Sequence, residues 1–214
     1  MKNYAKREVE EFKNPIRLAF YWFVTRIVYM LRLKVVYRLE VNGKENIPKN
    51  NKYIVAPNHL STLDPPLMGA VLPHQISFMS KEELFNNIIM RYWLDWLGAF
   101  AVNREHLSPS TIKTAKNISK TDTWVLGLFP QGTREKPGKI TKINKGFATM
   151  ARVTKCDILP IGIIEAHEAK HIPFTGKIIV NIGEVIPYSD NVEEMQNQWI
   201  ESIQKLTGFK YEEE

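Results

Sequence analysis

The 214-residue sequence holds a single cysteine, Cys156. One thiol cannot close an internal disulfide, which excludes a disulfide-stapled scaffold and points to a reducing compartment. With no histidine close by, Cys156 reads as a plain buried thiol rather than a nucleophile. Long uncharged apolar runs are missing too. In the most apolar stretch, residues 15–37, arginines interrupt at 17, 26 and 32, and the longest run without charge is residues 18–25. A spanning helix needs about 18–20 apolar residues, and a central arginine costs about 2.5–3.5 kcal/mol, so no membrane-crossing segment is expected there. A cleavable signal is not expected either, because Arg26 and Arg32 break any apolar core and no small-residue cleavage site follows. Internal repeats, linkers and low-complexity tracts are lacking. The body also lacks net charge. The formal charge of +6 falls entirely within residues 1–38, where nine Lys/Arg face three Glu, and the remaining basic and acidic residues balance. No nucleic-acid partner is expected of such a body.

What is present is an ordinary globular composition, 44% hydrophobic and 24% charged, in a chain long enough for one full core. Residues 15–37 combine Phe20, Tyr21, Trp22, Phe23 and Tyr29 with aliphatic and basic residues. That mixture predicts a helical arm lying in a membrane interface, where each basic residue near an anionic surface contributes about 1 kcal/mol. On a straight helix Arg17 and Arg26 fall about half a turn apart, so the arginines share no clean face. The alternative is a helix packed on the body or on another subunit.

Downstream, apolar runs alternate with helical patterns. Strands are expected over 34–41, 53–56, 75–79, 123–129, 158–164 and 177–182. Asn42-Gly43 turns the first, and Pro160 suggests a bulge or an edge in the fifth. Helices are expected over 67–72, over 81–96 with its apolar face packed on a sheet, over 109–120 behind Ser108-Pro109, over 145–154, and after Asp190 or Asn191 to Gly208. The reading is an α/β fold: a single domain over 39–214 with a mixed, largely parallel sheet flanked by helices, plus the N-terminal helical membrane-interface arm, 1–38.

Three polar segments follow strands or strand-like approaches: Asn58–Asp64, Asn103-Arg104-Glu105 and Pro130–Arg134. Open α/β sheets carry their sites at the carboxyl ends of strands, so parallel neighbours would bring the three together. A histidine such as His59 can take a proton from an alcohol, and an aspartate can fix its tautomer. Five residues apart, His59 and Asp64 meet only if the chain turns between them, and Pro65-Pro66 favour a turn or a helix start. Gly132 allows close backbone approach to a ligand, and Arg134 offers a fork matched to phosphate. A metal-dependent hydrolase is disfavoured, because His74, His106, His167 and His171 lack convincing ligand spacing.

Four blocks in order, Asn58-His59…Asp64, Gly98–Arg104, Phe129-Pro130-Gln131-Gly132-Thr133-Arg134 and Ile158-Leu159-Pro160-Ile161-Gly162, resemble the glycerolipid acyltransferase family. The likeness covers about residues 40–187, with Val41–Pro48 and Lys81–Phe85 also similar. It implies transfer of a fatty acyl group from acyl-carrier protein or coenzyme A to the sn-2 hydroxyl of 1-acyl-glycerol-3-phosphate. His59 would be the general base and Asp64 would orient it. Lys81, Arg104, Gly132 and Arg134 would hold the phosphate, with Asn58, Gln131, Thr133 and Pro160 as motif support. No metal or organic cofactor is implied. The protein would sit peripherally on the cytoplasmic side of the cell membrane. Another lysophospholipid or a glycerol-phosphate acceptor, or non-catalytic binding of anionic lipid, are the alternatives. The departure is Gln131, where the family usually has Glu.

Overall fold

The computed structural model describes residues 3–103, 108–164 and 176–212. Its elements run α1 (Val9–Lys13), α2 (Pro15–Trp22), a π-helical turn (Phe23–Tyr29), α3 (Met30–Val36), β1 (Tyr37–Asn42), β2 (Tyr53–Pro57), α4 (Asp64–Val71), β3 (Gln75–Lys81), α5 (Ile88–Trp96), β4 (Phe100–Val102), α6 (Pro109–Ile118), β5 (Trp124–Gly127), β6 (Lys139–Ile140), α7 (Gly146–Thr154), β7 (Asp157–Ile164), β8 (Gly176–Ile182), α8 (Val192–Thr207) and β9 (Lys210–Tyr211). Seven strands form one sheet in the order β1-β8-β7-β2-β5-β3-β4. Strands β7, β2, β5, β3 and β4 all run parallel, and only the β7–β8 pairing is antiparallel. This is the expected mixed, largely parallel sheet. Strands β6 and β9 pair separately; two residues each, they are too short to leave a periodic signal.

Side chains alternate across the sheet and build a core on each face. On β2, Ile54 and Ala56 join a cluster with Phe147 and Trp199 from α7 and α8, while Tyr53 and Val55 join one with Leu33 of α3 and Leu67 and Met68 of α4. Local signals place the ends of the helices. Asn191, rather than Asp190, caps α8 by accepting from Glu194 N, and Gly208 ends it at φ +74°. Ser108 Oγ accepts from Thr111 N at the start of α6.

Two expectations change, and a third, a bulge or an edge at Pro160, resolves to the bulge. The strand predicted from Lys34 begins at Tyr37, because α3 continues to Val36. Pro160 lies in β7, an internal strand between β8 and β2. It sits at a bulge: residues 159–160 lie opposite 183–185, between the Ile158–Ile186 bridge and the Ile161–Ile182 pair. The missing N–H thus falls where the ladder is already broken, and Pro160 O accepts from Gly183 N. The helix predicted over 81–96 is a 3₁₀ turn followed by α5, and α5 buries none of its residues. Its apolar face looks outward.

The arm folds against the body. Phe12 and Tyr21 belong to one core cluster, and Leu33 and Tyr37 to the other. Trp124 Nε1 donates to Phe12 O, and Tyr21 Oη accepts from Ile76 N. The widened π turn shifts the phase of the helix, and both arginines reach inward. Arg17 donates to the Asp95 carbonyl, and Arg26 to the carbonyls of Ala70 and Leu72. The outward face keeps Ile16, Trp22, Phe23, Ile27 and Leu31. So Arg17 and Arg26, which seemed scattered, both leave the outward apolar face, while Arg32 stays exposed beside Leu31. No helix among the described residues is long and apolar enough to cross a membrane.

Candidate active site

The carboxyl ends of β2, β5, β3 and β4 lie along one edge of the sheet, because these strands are parallel neighbours. His59 follows β2 directly. Asn58 precedes it, fully buried, and its side-chain amide imitates a strand: Nδ2 donates to Ile163 O at 3.0 Å and Oδ1 accepts from Ile163 N at 2.6 Å. The chain then turns. Asp64 N donates to Ser61 O, and Asp64 becomes the first residue of α4, with Pro65 and Pro66 in its opening turn. The turn returns the carboxylate to the histidine, and His59 Nδ1 is 2.8 Å from Asp64 Oδ2. The same oxygen accepts from Leu60 N at 2.7 Å and Ser61 N at 2.8 Å. Asp64 is fully buried, while the His59 side chain keeps 16% exposure.

The loop after β5 completes the frame. Gln131 Oε1 accepts from His59 N at 2.6 Å, and His59 O accepts from Glu135 N at 2.9 Å. The Phe129 ring stacks on the imidazole at 3.9 Å, and Phe78 stacks behind Phe129 at 5.2 Å. Gly132 turns the loop at φ +73°, its N–H bonding to Phe129 O. A β-carbon there would meet nothing within 4 Å, so the requirement for glycine is the backbone conformation and not space. Thr133 and Arg134 are exposed, and Arg134 stands between two residues, 131 and 135, that grip the His59 backbone. If Nδ1 carries the ring proton, Nε2 presents a lone pair, which is the arrangement a general base needs. An apolar cleft opens beside this loop, lined by Phe129, Pro130, Gly132, Met79, Val102 and Phe147.

A family model described as Acyltransferase matches residues 38–164, which include both His59–Asp64 and the Gln131 loop. This chain belongs to the acyltransferase family. Two relatives named 1-acyl-sn-glycerol-3-phosphate acyltransferase agree with it. That of Streptococcus pneumoniae is 30% identical over 186 residues, covering 86% of this chain and 69% of the relative. That of Bacillus subtilis is 32% identical over 163 residues, covering 74% and 80%. The crystal structure of the 1-acyl-sn-glycerophosphate acyltransferase PlsC from Thermotoga maritima superposes with a TM-score of 0.71 at 21% identity, over 90% of this chain and 80% of that one, and shows the same fold.

The other expected residues of this acyltransferase are distributed unevenly. Lys81 ends β3 on the site edge, exposed, with its ammonium 2.8 Å from Glu83. Arg104 lies outside the described residues, as do His106, His167 and His171. Asn103, just before Arg104, donates to Glu82. Pro160 pairs in register with Ala56 and serves the strand that anchors Asn58. His74 precedes β3, at the opposite edge of the sheet from His59, where its Nδ1 is 2.9 Å from Tyr53 Oη. Among the described residues, no three His, Cys, Asp or Glu side chains gather as a metal site. Sequence reasoning missed the Gln131–His59 bond and the Phe78–Phe129–His59 stack. The aromatic residue ahead of Pro130-Gln131-Gly132 was their one visible trace.

Proposed function

We propose that this acyltransferase moves a fatty acyl group from an acyl thioester to the sn-2 hydroxyl of 1-acyl-glycerol-3-phosphate, yielding phosphatidic acid. The observation that carries the reading is the buried Asp64 carboxylate bonded to His59 Nδ1, with the imidazole held at a strand end and its far nitrogen unblocked by either partner. In the proposed step, Nε2 takes the hydroxyl proton as the acceptor oxygen attacks the thioester carbonyl. Asp64 keeps the Nδ1–H tautomer and stabilises the imidazolium that forms. Collapse of the tetrahedral intermediate breaks the carbon–sulfur bond, and the departing thiolate receives the proton from His59. No protein nucleophile is required.

Arg134, in the loop whose residues 131 and 135 bond to the His59 backbone, is the proposed phosphate ligand, with Arg104 and Lys81 assisting and Gly132 shaping the loop. Gln131, where the family usually has glutamate, accepts from His59 N–H through a neutral amide oxygen, a weaker acceptor than a carboxylate but one of the same reach. The names of the two bacterial relatives support this acceptor. The apolar outer face of the 1–38 arm is proposed to meet the membrane, peripherally and from the cytoplasmic side, so that the insoluble acceptor enters laterally.

The test is an acyl-transfer assay of purified protein with lysophosphatidate and, separately, acyl-carrier-protein and coenzyme A thioesters, beside His59→Ala. Phosphatidic acid from the native protein alone is expected. Equal turnover by the variant would end the base mechanism, and preference for an acceptor without phosphate would end the substrate reading.

A further inference from the structure

The helix α5 presents Ile88, Ile89, Tyr92, Trp93 and Trp96 to solvent, with Ile89 78% exposed and Ile88 59%. An amphipathic helix ordinarily turns such a face to the core, and contiguous exposed apolar surface marks a contact site. This face is continuous with the outer face of the arm. Phe20 of α2 packs edge-on against both Trp93 and Trp96, each at 5.7 Å between ring centres. Beneath them, the buried Arg7 and Arg17 converge on Asp95 of α5 and on Glu11. Arg7, Arg17 and Asp95 thus lie inward and bind the two elements together, while the apolar residues above them, and Arg32, stay exposed. Basic groups lie at the margin: Lys13 and Lys34 are exposed at the two ends of the arm, and Arg91 lies over the Tyr92 ring at 5.5 Å.

We propose that α5 and the arm form one lipid-facing platform, with α5 inserting Ile88, Ile89 and its aromatic residues into the interface of an anionic bilayer. This rests on the membrane reading of the arm and extends it to an element far away in sequence. Several features favour lipid over a protein partner. Tryptophan and tyrosine with aliphatics suit the interfacial zone, and a basic margin suits anionic headgroups. The platform also lies where the substrate must arrive, since α5 follows β3 shortly after its carboxyl end on the site edge.

The experiment is sedimentation of the full chain with phosphatidylglycerol–phosphatidylcholine vesicles, comparing native protein with Ile88→Asp/Ile89→Asp and, in the arm, Trp22→Asp. Both isoleucines lie in the first turn of α5, where acidic residues favour the helix, so thermal stability is expected to hold. The α5 variant is expected to lose vesicle partitioning by at least about tenfold. If Trp22→Asp weakens binding and the α5 variant does not, the platform proposal fails while the arm reading survives. If neither weakens it, both fail. A dimer in lipid-free solution, seen by light scattering and dissociated by the α5 substitutions, would mean that a second copy covers this face and would also overturn the proposal.

Discussion

His59 Nδ1 lies 2.8 Å from Asp64 Oδ2, and that one oxygen also receives the backbone N–H groups of Leu60 and Ser61. The carboxylate therefore holds the turn as well as the imidazole. Substitution should separate these roles. His59→Ala is expected to lower turnover by about 10²–10⁴ with an unchanged denaturation midpoint. Asp64→Ala is expected to lower turnover and also to destabilise the fold by about 2 kcal/mol or more, because two backbone donors lose their acceptor. Urea denaturation of the two variants checks this; equal midpoints would contradict the structural half of the assignment.

Gln131 accepts from His59 N at 2.6 Å. Gln131→Glu keeps an acceptor there and adds a negative charge beside the imidazole, which favours the ring's protonated form. A base must be unprotonated to act, so the acidic limb of the kcat/KM profile is expected to move to higher pH while the plateau survives. Gln131→Leu removes the acceptor and is expected to lower the plateau itself. If neither variant alters the profile, Gln131 does not position His59.

The turn chemistry and the sheet were readable because their determinants are local. Tyr53–Ala56 is apolar and ends in polar residues, Thr123–Phe129 repeats the pattern, and parallel pairing then brings both ends to one edge. The outward face of α5 was not readable. Periodicity shows that Ile88, Ile89, Tyr92 and Trp96 share a helix face, but not whether that face meets a sheet or solvent. The inward reach of Arg17 and Arg26 depends on a π-helical turn, which follows from no residue pattern in Phe23–Tyr29. Asn58 reads as a turn residue after a strand; its strand-like pairing with Ile163 depends on a segment more than a hundred residues away.

That pairing makes Asn58 a stability determinant more than a chemical one. Asn58→Leu leaves Ile163 N and O unpaired in a fully buried position. A loss of about 2–4 kcal/mol is expected, the cost of two buried polar groups without partners. Chemical denaturation measures it, and a native-like midpoint would show that the strand tolerates the gap.

Arg134 is exposed and is held between the two residues that bond to the His59 backbone. A charge-assisted contact with a phosphate is worth about 1.5–3 kcal/mol, so Arg134→Ala is expected to reduce kcat/KM for lysophosphatidate by roughly 10–100-fold, mainly through KM. The KM for the acyl donor should stay near its native value. A change confined to the donor would reassign the residue.

His74 offers a prediction about stability independent of catalysis. Its Nδ1 is 2.9 Å from Tyr53 Oη, and burial lowers its affinity for a proton below the ordinary histidine value. A neutral ring can accept the tyrosine O–H at Nδ1, and a protonated ring cannot. The unfolded chain therefore binds a proton at this residue more readily than the folded one. The sign follows from linkage: the contribution of His74 to stability is present above the unfolded histidine pKa of about 6.5 and is lost as pH falls through the lower folded value. His74→Asn removes the titration. The stability difference between native and variant protein is expected to be larger at pH 7.5 than at pH 5.5, measured by urea midpoints. Carboxylates common to both proteins cancel in that difference. A gap that does not change with pH would show that the Tyr53–His74 contact carries no proton linkage.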